Sequence, residues 1–232
     1  MTLDPKPVPR FVADACRYGI PDGRFAARLS ESFIEACAEI DDLPDGTAMP
    51  TEIVWYPERT FSGRTYSPAT AYGEAVLEEG GDPVRIEFFG YVSYLQPEDG
   101  DPHDFTSTAD FTDVTAADNP DWKVDLNDEV IGEWNGERGR HADITLVWGR
   151  ILIEGSYAVS AEIAEMTVDQ DPVFGDRFTL VAPDALKNFG DDAFLEVRVW
   201  TERGKELAVE SLYEAPEPEP AEAADGGDPE KG

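Results

Sequence analysis

The stretch from Ala142 to Val168 constrains the fold most, because it is the longest apolar run in the chain. Successive side chains of a β-strand point to opposite faces of its sheet, and both alternate sets are apolar here. The two sets are Ile144, Leu146, Trp148 and Leu152 on one face, and Thr145, Val147, Ile151 and Ile153 on the other. A strand that is apolar on both faces is usually covered on both sides, which predicts a sandwich or a closed barrel.

Two hairpins are predicted from turn residues that stand between alternating segments. After the central strand, Glu154-Gly155-Ser156 is typical of a turn, and alternation resumes at Tyr157, Val159, Ala161 and Ile163. This pattern predicts a central hairpin. A second hairpin is predicted over residues 193–213, with its turn at Arg203-Gly204-Lys205.

An amphipathic helix is predicted near the N-terminus, from Gly23 to Ile40, with Asp22 as its N-cap. Its apolar stripe recurs at steps of three or four residues and consists of Phe25, Leu29, Phe33, Cys37 and Ile40. Together these patterns predict an α+β, mainly β fold. The expected architecture is an antiparallel sandwich or a partly closed barrel, with the N-terminal helix packed on it.

The domain organisation follows from shifts in composition. Residues 1–9 carry three prolines and are predicted to form an extended arm. Residues 10–213 are predicted to form a single α+β domain, and a separate helical subdomain over residues 10–50 is the alternative. Residues 214–232 contain only Glu, Asp, Pro, Ala, Gly and one lysine, which predicts a disordered acidic tail.

The chain is very acidic, with 50 acidic residues against 18 basic ones and a formal net charge of -32. A nucleic-acid-binding protein needs a basic stripe that displaces counterions from phosphates, and the sequence has none. The charge therefore argues against nucleic acid as a partner. Two interpretations of the acidity stay open, namely plain solubility and adaptation to a salt-rich cytoplasm.

The two cysteines, Cys16 and Cys37, are 21 residues apart and form neither a disulfide framework nor a C-x-x-C metal motif. Free thiols in a reducing cytoplasm are the expected state. The sequence has no run of 18 apolar residues, so no membrane association is predicted. No cofactor motif is recognisable, and no cofactor is predicted.

Arginines that stand out in an acidic chain are candidates for ligand binding. Arg59-Thr60-Phe61-Ser62 is followed by the similar Arg64-Thr65-Tyr66-Ser67, and Gly63 between them is predicted to form a bulge in one strand. A guanidinium suits a carboxylate or a phosphate, so Arg59, Arg64 and Arg150 are the candidate ligand-binding residues. The alternative is that these arginines pair with acids of the chain itself.

Residues 97–129 carry 11 acidic residues and are predicted to form a long loop. Within this loop, Asp99, Asp101, His103 and Asp104 stand close together in sequence. Carboxylates with a histidine can bind a divalent cation, so these four residues are the candidate metal ligands. A solvated acidic loop is the alternative.

His141 and Asp143 are the candidate catalytic residues, because residues two apart on a strand share a face and could act as an acid–base pair. No nucleophile motif or phosphate-binding loop accompanies them.

Two classes of function therefore remain. The first is a non-catalytic binding or assembly module that binds a protein partner or a second copy of itself. The second is a small-molecule-binding β-barrel, with the option of enzymatic activity at a polar site around His141, Arg150 and Arg64.

Overall fold

A computed structural model of the chain describes residues 14–17, 23–77, 81–164, 166–187 and 194–212. Within these ranges it contains thirteen β-strands and one α-helix, α1 (Gly23–Ala38). In chain order the strands are β1 (Asp14–Arg17), β2 (Ile53–Trp55), β3 (Glu58–Phe61), β4 (Arg64–Ala75), β5 (Val84–Leu95), β6 (His103–Thr112), β7 (Val124–Asn135), β8 (His141–Ile151), β9 (Ala158–Ile163), β10 (Met166–Pro172), β11 (Arg177–Lys187), β12 (Leu195–Trp200) and β13 (Glu206–Ser211). A short 3-10 turn, Glu137–Gly139, joins β7 to β8.

The strands form three antiparallel sheets. The first sheet has the order β1-β3-β4-β5-β6, with β2 pairing β4; the middle sheet has the order β11-β8-β7; and the third has the order β10-β9-β12-β13. None of the three closes into a barrel within the described residues. The predicted mainly β fold with a packed N-terminal helix is confirmed. Its sheets stack face to face, as in the predicted sandwich.

Helix α1 covers one face of the first sheet. Leu29, Phe33 and Cys37 of its apolar stripe are fully buried, which confirms the predicted amphipathic helix. They pack against the sheet residues Ala69, Ala71, Ala75, Ile86, Phe88, Val92 and Tyr94. The helix ends at Ala38 rather than at Ile40, although Ile40 still packs against the same cluster.

The middle sheet is covered on both faces, as the apolar pattern of its central strand predicts. Trp148 belongs to a cluster that also holds Tyr56 and Tyr66 of the first sheet region. Val147, in contrast, belongs to a cluster with Val197 of the third sheet. The layers therefore follow the order helix, first sheet, middle sheet and third sheet, with β8 in the centre of the stack.

The predicted central hairpin is wrong. β8 pairs with β7 and β11, whereas β9 pairs with β10 and β12 in the third sheet. Gly155, with a φ of +83°, lies in the turn that carries the chain from one layer to the next. Alternation predicted both strands correctly, but it carries no information on whether two strands pair by their edges or stack by their faces. The second predicted hairpin is observed as β12 and β13.

The predicted bulge at Gly63 is also wrong. Ser62 and Gly63 both have positive φ values, 53° and 80°, and Phe61 lies opposite Arg64. Two residues with positive φ form the tight turn that joins paired antiparallel strands. The two similar tetrapeptides are thus the arms of a β3–β4 hairpin.

Several predictions lie outside the described residues. They are the extended arm over residues 1–9, the N-cap at Asp22 and the acidic tail over residues 214–232. No helix in the part of the chain that the structure describes has the length and apolar character needed to cross a lipid bilayer.

Candidate functional site

Arg59 is a buried structural residue that connects all three sheets. Its side chain is 2% exposed, and its guanidinium donates a hydrogen bond to the carboxylate of Asp169 on β10. The same carboxylate accepts the backbone N–H of Val181 on β11 at 2.9 Å. A second acid of β10, Asp171, lies 3.7 Å from the guanidinium. The alternative interpretation, pairing with the chain's own acids, therefore describes Arg59.

The other two candidate arginines are also paired. Arg64 donates to Asp104 of β6 at 2.8 Å, and this hydrogen bond holds the pKa of Asp104 below its ordinary value. Arg150 donates through Nε to Asp176 at 3.2 Å. Each of the three arginines thus has a different acidic partner on a different element.

The four candidate metal ligands lie at the start of β6 and in the turn before it. Asp99, Asp101, His103 and Asp104 are all exposed. No three His, Cys, Asp or Glu side chains in the described ranges are placed so that they could hold a metal ion. The structure therefore gives the metal hypothesis no support, and Asp104 already binds Arg64.

The candidate catalytic residues lie at the start of β8. His141 pairs with Asn135 of β7, and its Nδ1 is 3.4 Å from the carbonyl oxygen of Gly139. Asp143 lies between two further acids, Glu133 on β7 and Asp184 on β11. An acid–base role for this pair stays a prediction.

Two buried carboxyl groups that sequence reasoning missed meet between the first and middle sheets. Glu87 of β5 is 3% exposed and Asp125 of β7 is 7% exposed. Ile86 and Phe88 face the helix, so the alternation of β5 turns Glu87 towards the middle sheet. Val124 packs on the side of the third sheet, so the alternation of β7 turns Asp125 towards the first sheet.

A cavity of about 270 Å³ opens over these two carboxyl groups. We call it the acidic cleft. Its wall combines residues with carboxyl groups, apolar and aromatic residues, and two neutral polar ones: Glu87, Asp125 and Asp128; Phe89, Val114, Trp122 and Leu126; Thr112 and Asn127. A concave site with apolar walls and a few converging polar groups is the usual form of a ligand-binding site.

The electrostatics of the cleft raise the pKa values of its two buried acids. Burial, together with the charge of Asp125, raises the pKa of Glu87 to about 7, against the opposing effects of the Tyr72 hydrogen bond, Arg150 and Arg85. Burial also raises the pKa of Asp125, against the charge of Arg150. Strongly perturbed acids in a cleft occur preferentially at functional sites.

The backbones of β7 and β8 approach each other closely at Asp125. Arg150 lies directly opposite Asp125 on β8, and the next residue of β7, Leu126, lies opposite Gly149. A Cβ atom at Gly149 would come within 2.2 Å of the carbonyl oxygen of Asp125. Gly149 is therefore needed for β7 and β8 to pack here. Oδ2 of Asp125 has no hydrogen-bond partner among the described residues.

A larger groove of about 660 Å³ lies on the outer face of the third sheet. Several of its polar groups are already engaged with each other. The indole N–H of Trp200 donates to Oγ of Ser160 at 2.8 Å, and this hydroxyl donates to Glu162 at 3.1 Å. Arg198 binds Glu162, Glu196 and Glu206 beside it. We therefore regard the smaller acidic cleft as the candidate functional site.

Sequence reasoning missed Glu87 because it sits in an alternating strand, where an acid opposite an apolar face is expected to be solvated. Phe89 and Tyr91 follow Glu87 on the same face, which signals that this face is also covered. Asp125 lies in the acidic stretch 97–129, for which the sequence predicts a loop with the option of a short hairpin over residues 121–134. The structure instead contains β6 and the start of β7 there.

The chain was compared with models of known protein families, with curated proteins and with solved structures, and none of the three comparisons found a match.

Proposed function

We propose that this chain is a non-catalytic binding or assembly module and that the acidic cleft is its binding site. The observation that carries the proposal is Asp125, a buried residue that lines the cavity and whose Oδ2 has no hydrogen-bond partner within the described residues. A buried carboxylate oxygen without a partner costs free energy, about 1–3 kcal/mol for a typical polar group. A bound group that donates a hydrogen bond would recover that cost.

The position of the cleft supports a binding role. Its two buried acids come from two different sheets, so a ligand would contact both layers at once. Of the predicted ligand-binding residues, Arg150 lies close to the cleft, since it stands opposite Asp125 and its charge lowers the pKa of both Glu87 and Asp125. Its Nε is nevertheless engaged by Asp176, which leaves the cleft acidic in character.

An acid–base enzyme is the second candidate, and one observation favours it. A carboxyl group with a pKa of about 7 can donate or accept a proton near neutral pH, and Glu87 has a second acid beside it. The β-barrel predicted for such an enzyme is not observed, because the described sheets do not close. The pairing of Arg64 with Asp104 also removes it from the predicted polar site.

The net charge and the state of the buried thiol support the proposed class of partner and the proposed location. A net charge of -32 supports a protein or small-molecule partner over nucleic acid. Cys37 is buried as a free thiol, which supports a reducing cytoplasmic location. Screening of the negative charge by salt would permit self-association, which is the assembly branch of the proposal.

A fragment screen by NMR on the full chain tests the proposal. Trp122 at the rim of the cleft is 37% exposed, and its indole N–H signal can be assigned with Trp122→Phe. We expect at least one class of fragment to shift this signal and the amides of residues 125–128, and we expect Asp125→Asn to abolish the shifts. Fragments recovered chemically unchanged support binding over catalysis.

The matched control is Glu202→Gln in the groove of the third sheet, which should leave the cleft shifts intact. Fragments that shift only the signals of that groove, or no fragment that shifts the cleft, would contradict the proposal. If a fragment is chemically converted, and the conversion requires Glu87, the result would favour the acid–base enzyme instead.

A further inference from the structure

We infer that the ligand of the acidic cleft is an organic ammonium ion, a protonated amine that carries a short apolar arm. This inference rests on the proposed function, because it names the class of ligand that the same cleft would take. It is drawn from the charges, the unsatisfied hydrogen-bond acceptor and the apolar wall of the cavity.

The charge of the wall selects a cation. Glu87, Asp125 and Asp128 contribute to the wall, and no Lys, Arg or His does so among the described residues that line it. The two guanidinium groups whose charges lower the pKa of Glu87 contact other residues. Arg85 lies over the ring of Tyr72, 3.6 Å from its centroid, and Arg150 donates to Asp176.

The hydrogen-bonding needs of the wall select a donor. A carboxylate oxygen can only accept hydrogen bonds, and Oδ2 of Asp125 has none within the described part of the chain. An ammonium group brings two or three N–H donors and a positive charge, and hydrogen bonds between charged groups are the strong ones. One such group would satisfy Asp125 and oppose the negative charge of Glu87.

The oxygen ligands that the cleft offers do not suit a divalent metal ion. Calcium takes about six to eight oxygen ligands and magnesium demands near-octahedral geometry. No group of three or more His, Cys, Asp or Glu side chains that could hold a metal is found in the described ranges, so the cleft brings too few anionic ligands together.

The remainder of the wall selects an organic cation over a simple ion. Phe89, Val114, Trp122 and Leu126 line the cavity beside the acids. Trp122 and Val114 are 37% and 54% exposed, so apolar surface stays uncovered at the rim. An aliphatic arm would cover this surface, and a cation near an indole ring gains attraction from the ring face.

The size of the cleft limits the ligand to a small group. Its volume of about 270 Å³ lies just under the range of about 300–1,000 Å³ that is usual for drug-sized ligands. A free alkyl amine and the lysine side chain of a partner protein share the chemistry that fits, namely an ammonium group on an aliphatic stem.

A matched series of four-carbon compounds tests the inference on the full chain. Butylammonium, 1-butanol and butyrate have the same arm and differ in the head group. They are titrated in moderate salt, which screens non-specific attraction to the acidic surface, and the Trp122 indole signal reports on the cleft. We expect butylammonium to bind at least about tenfold more tightly than 1-butanol, and butyrate to leave the cleft signals unchanged.

The variants locate the interaction. Asp125→Asn should weaken butylammonium binding about tenfold or more. Asp45→Asn makes the same charge change at an exposed turn position and should leave the affinity unchanged. If Asp125→Asn fails to fold, the comparison of the three compounds on the wild-type chain still decides the question.

The outcomes separate the inference from the proposal on which it rests. Equal or tighter cleft binding of 1-butanol or butyrate, dependent on Asp125, overturns the ammonium inference and leaves the binding site in place. Cleft binding of calcium that displaces butylammonium also overturns it. If nothing in the series or in the fragment screen shifts the cleft signals, both statements fail.

A further titration distinguishes the two sources of the ammonium group, a free amine and a lysine side chain of a partner protein. A lysine with blocked termini that binds more tightly than butylammonium indicates a side chain of a partner protein. Tighter binding of butylammonium indicates a free amine. Both results agree with the inference.

Discussion

Trp148 and Ile151 lie on the same strand, β8, and are buried on opposite sides of the middle sheet. Trp148 packs in the cluster shared with the first sheet, and Ile151 packs in the cluster shared with the third. Trp148 is fully buried and Ile151 is 5% exposed. Strand β8 therefore contributes to both interfaces of the middle sheet, the one with the first sheet and the one with the third.

Truncation of Trp148 should destabilise the protein strongly. Trp148→Ala removes a large, fully buried side chain and leaves a cavity, which typically costs about 3–5 kcal/mol. The control is Leu152→Ala just past the end of β8, where the side chain is 37% exposed and the cost should stay below about 1 kcal/mol. Urea denaturation of both variants measures the difference, and equal costs would contradict the layered arrangement.

Local periodicity predicted the layers of this fold but not their connections. The two apolar faces of β8 and the stripe of α1 each required a covering layer, and each has one. Whether β9 pairs with β8 or stacks on it depends on contacts between residues distant in sequence, which alternation does not encode. The acidic cleft was missed for the same reason, because Glu87 and Asp125 come together only when two sheets stack.

Loss of the fully buried Arg59 should cost more than loss of the partly buried Arg64. Arg59→Met leaves Asp169 buried without its charged partner, and breaking such a pair typically costs about 3–5 kcal/mol. Arg64→Met is the comparison at an ion pair whose acid, Asp104, is 59% exposed, so that water can solvate the carboxylate left behind and the cost should be smaller. Thermal and urea unfolding should separate the two variants. Similar losses would mean that Arg59 does not connect the sheets.

Glu87 should make the stability of the protein fall as the pH rises from about 4.5 to about 7. The pKa of Glu87 is raised by burial from 4.5 to about 7, with Asp125 adding to the shift and Tyr72, Arg150 and Arg85 opposing it. Between these values the folded state binds more protons than the unfolded state, so this group stabilises the fold below about pH 4.5 and loses that contribution by about pH 7.

Glu87→Gln should remove this dependence. The variant should gain stability relative to wild type as the pH rises from about 5 to about 8, by up to about 3 kcal/mol. Glu74→Gln, at an exposed position of β4, is the control and should follow the wild-type curve. A Glu87→Gln curve parallel to wild type at every pH would show that the pKa of Glu87 is the same in the folded and unfolded states.

Salt should stabilise the protein because the chain repels itself at a net charge of -32. The Debye length falls from about 10 Å at 0.1 M to about 3 Å at 1 M ionic strength. The melting temperature should therefore rise steeply in potassium chloride over this range. A flat series would contradict adaptation to salt, and light scattering at both concentrations tests separately whether screening also permits self-association.

Titration of the Glu87 side chain by carbon-detected NMR, with and without saturating butylammonium, tests the binding site most directly. A cation beside Glu87 favours its charged form, so we expect a Glu87 pKa near 7 in the free protein and a value lower by at least about one unit in the complex. The same titration of Asp125→Asn should show no effect of the amine. A Glu87 titration curve that butylammonium leaves unchanged in the wild-type chain would contradict the assignment of this cleft as a site for an organic ammonium ion.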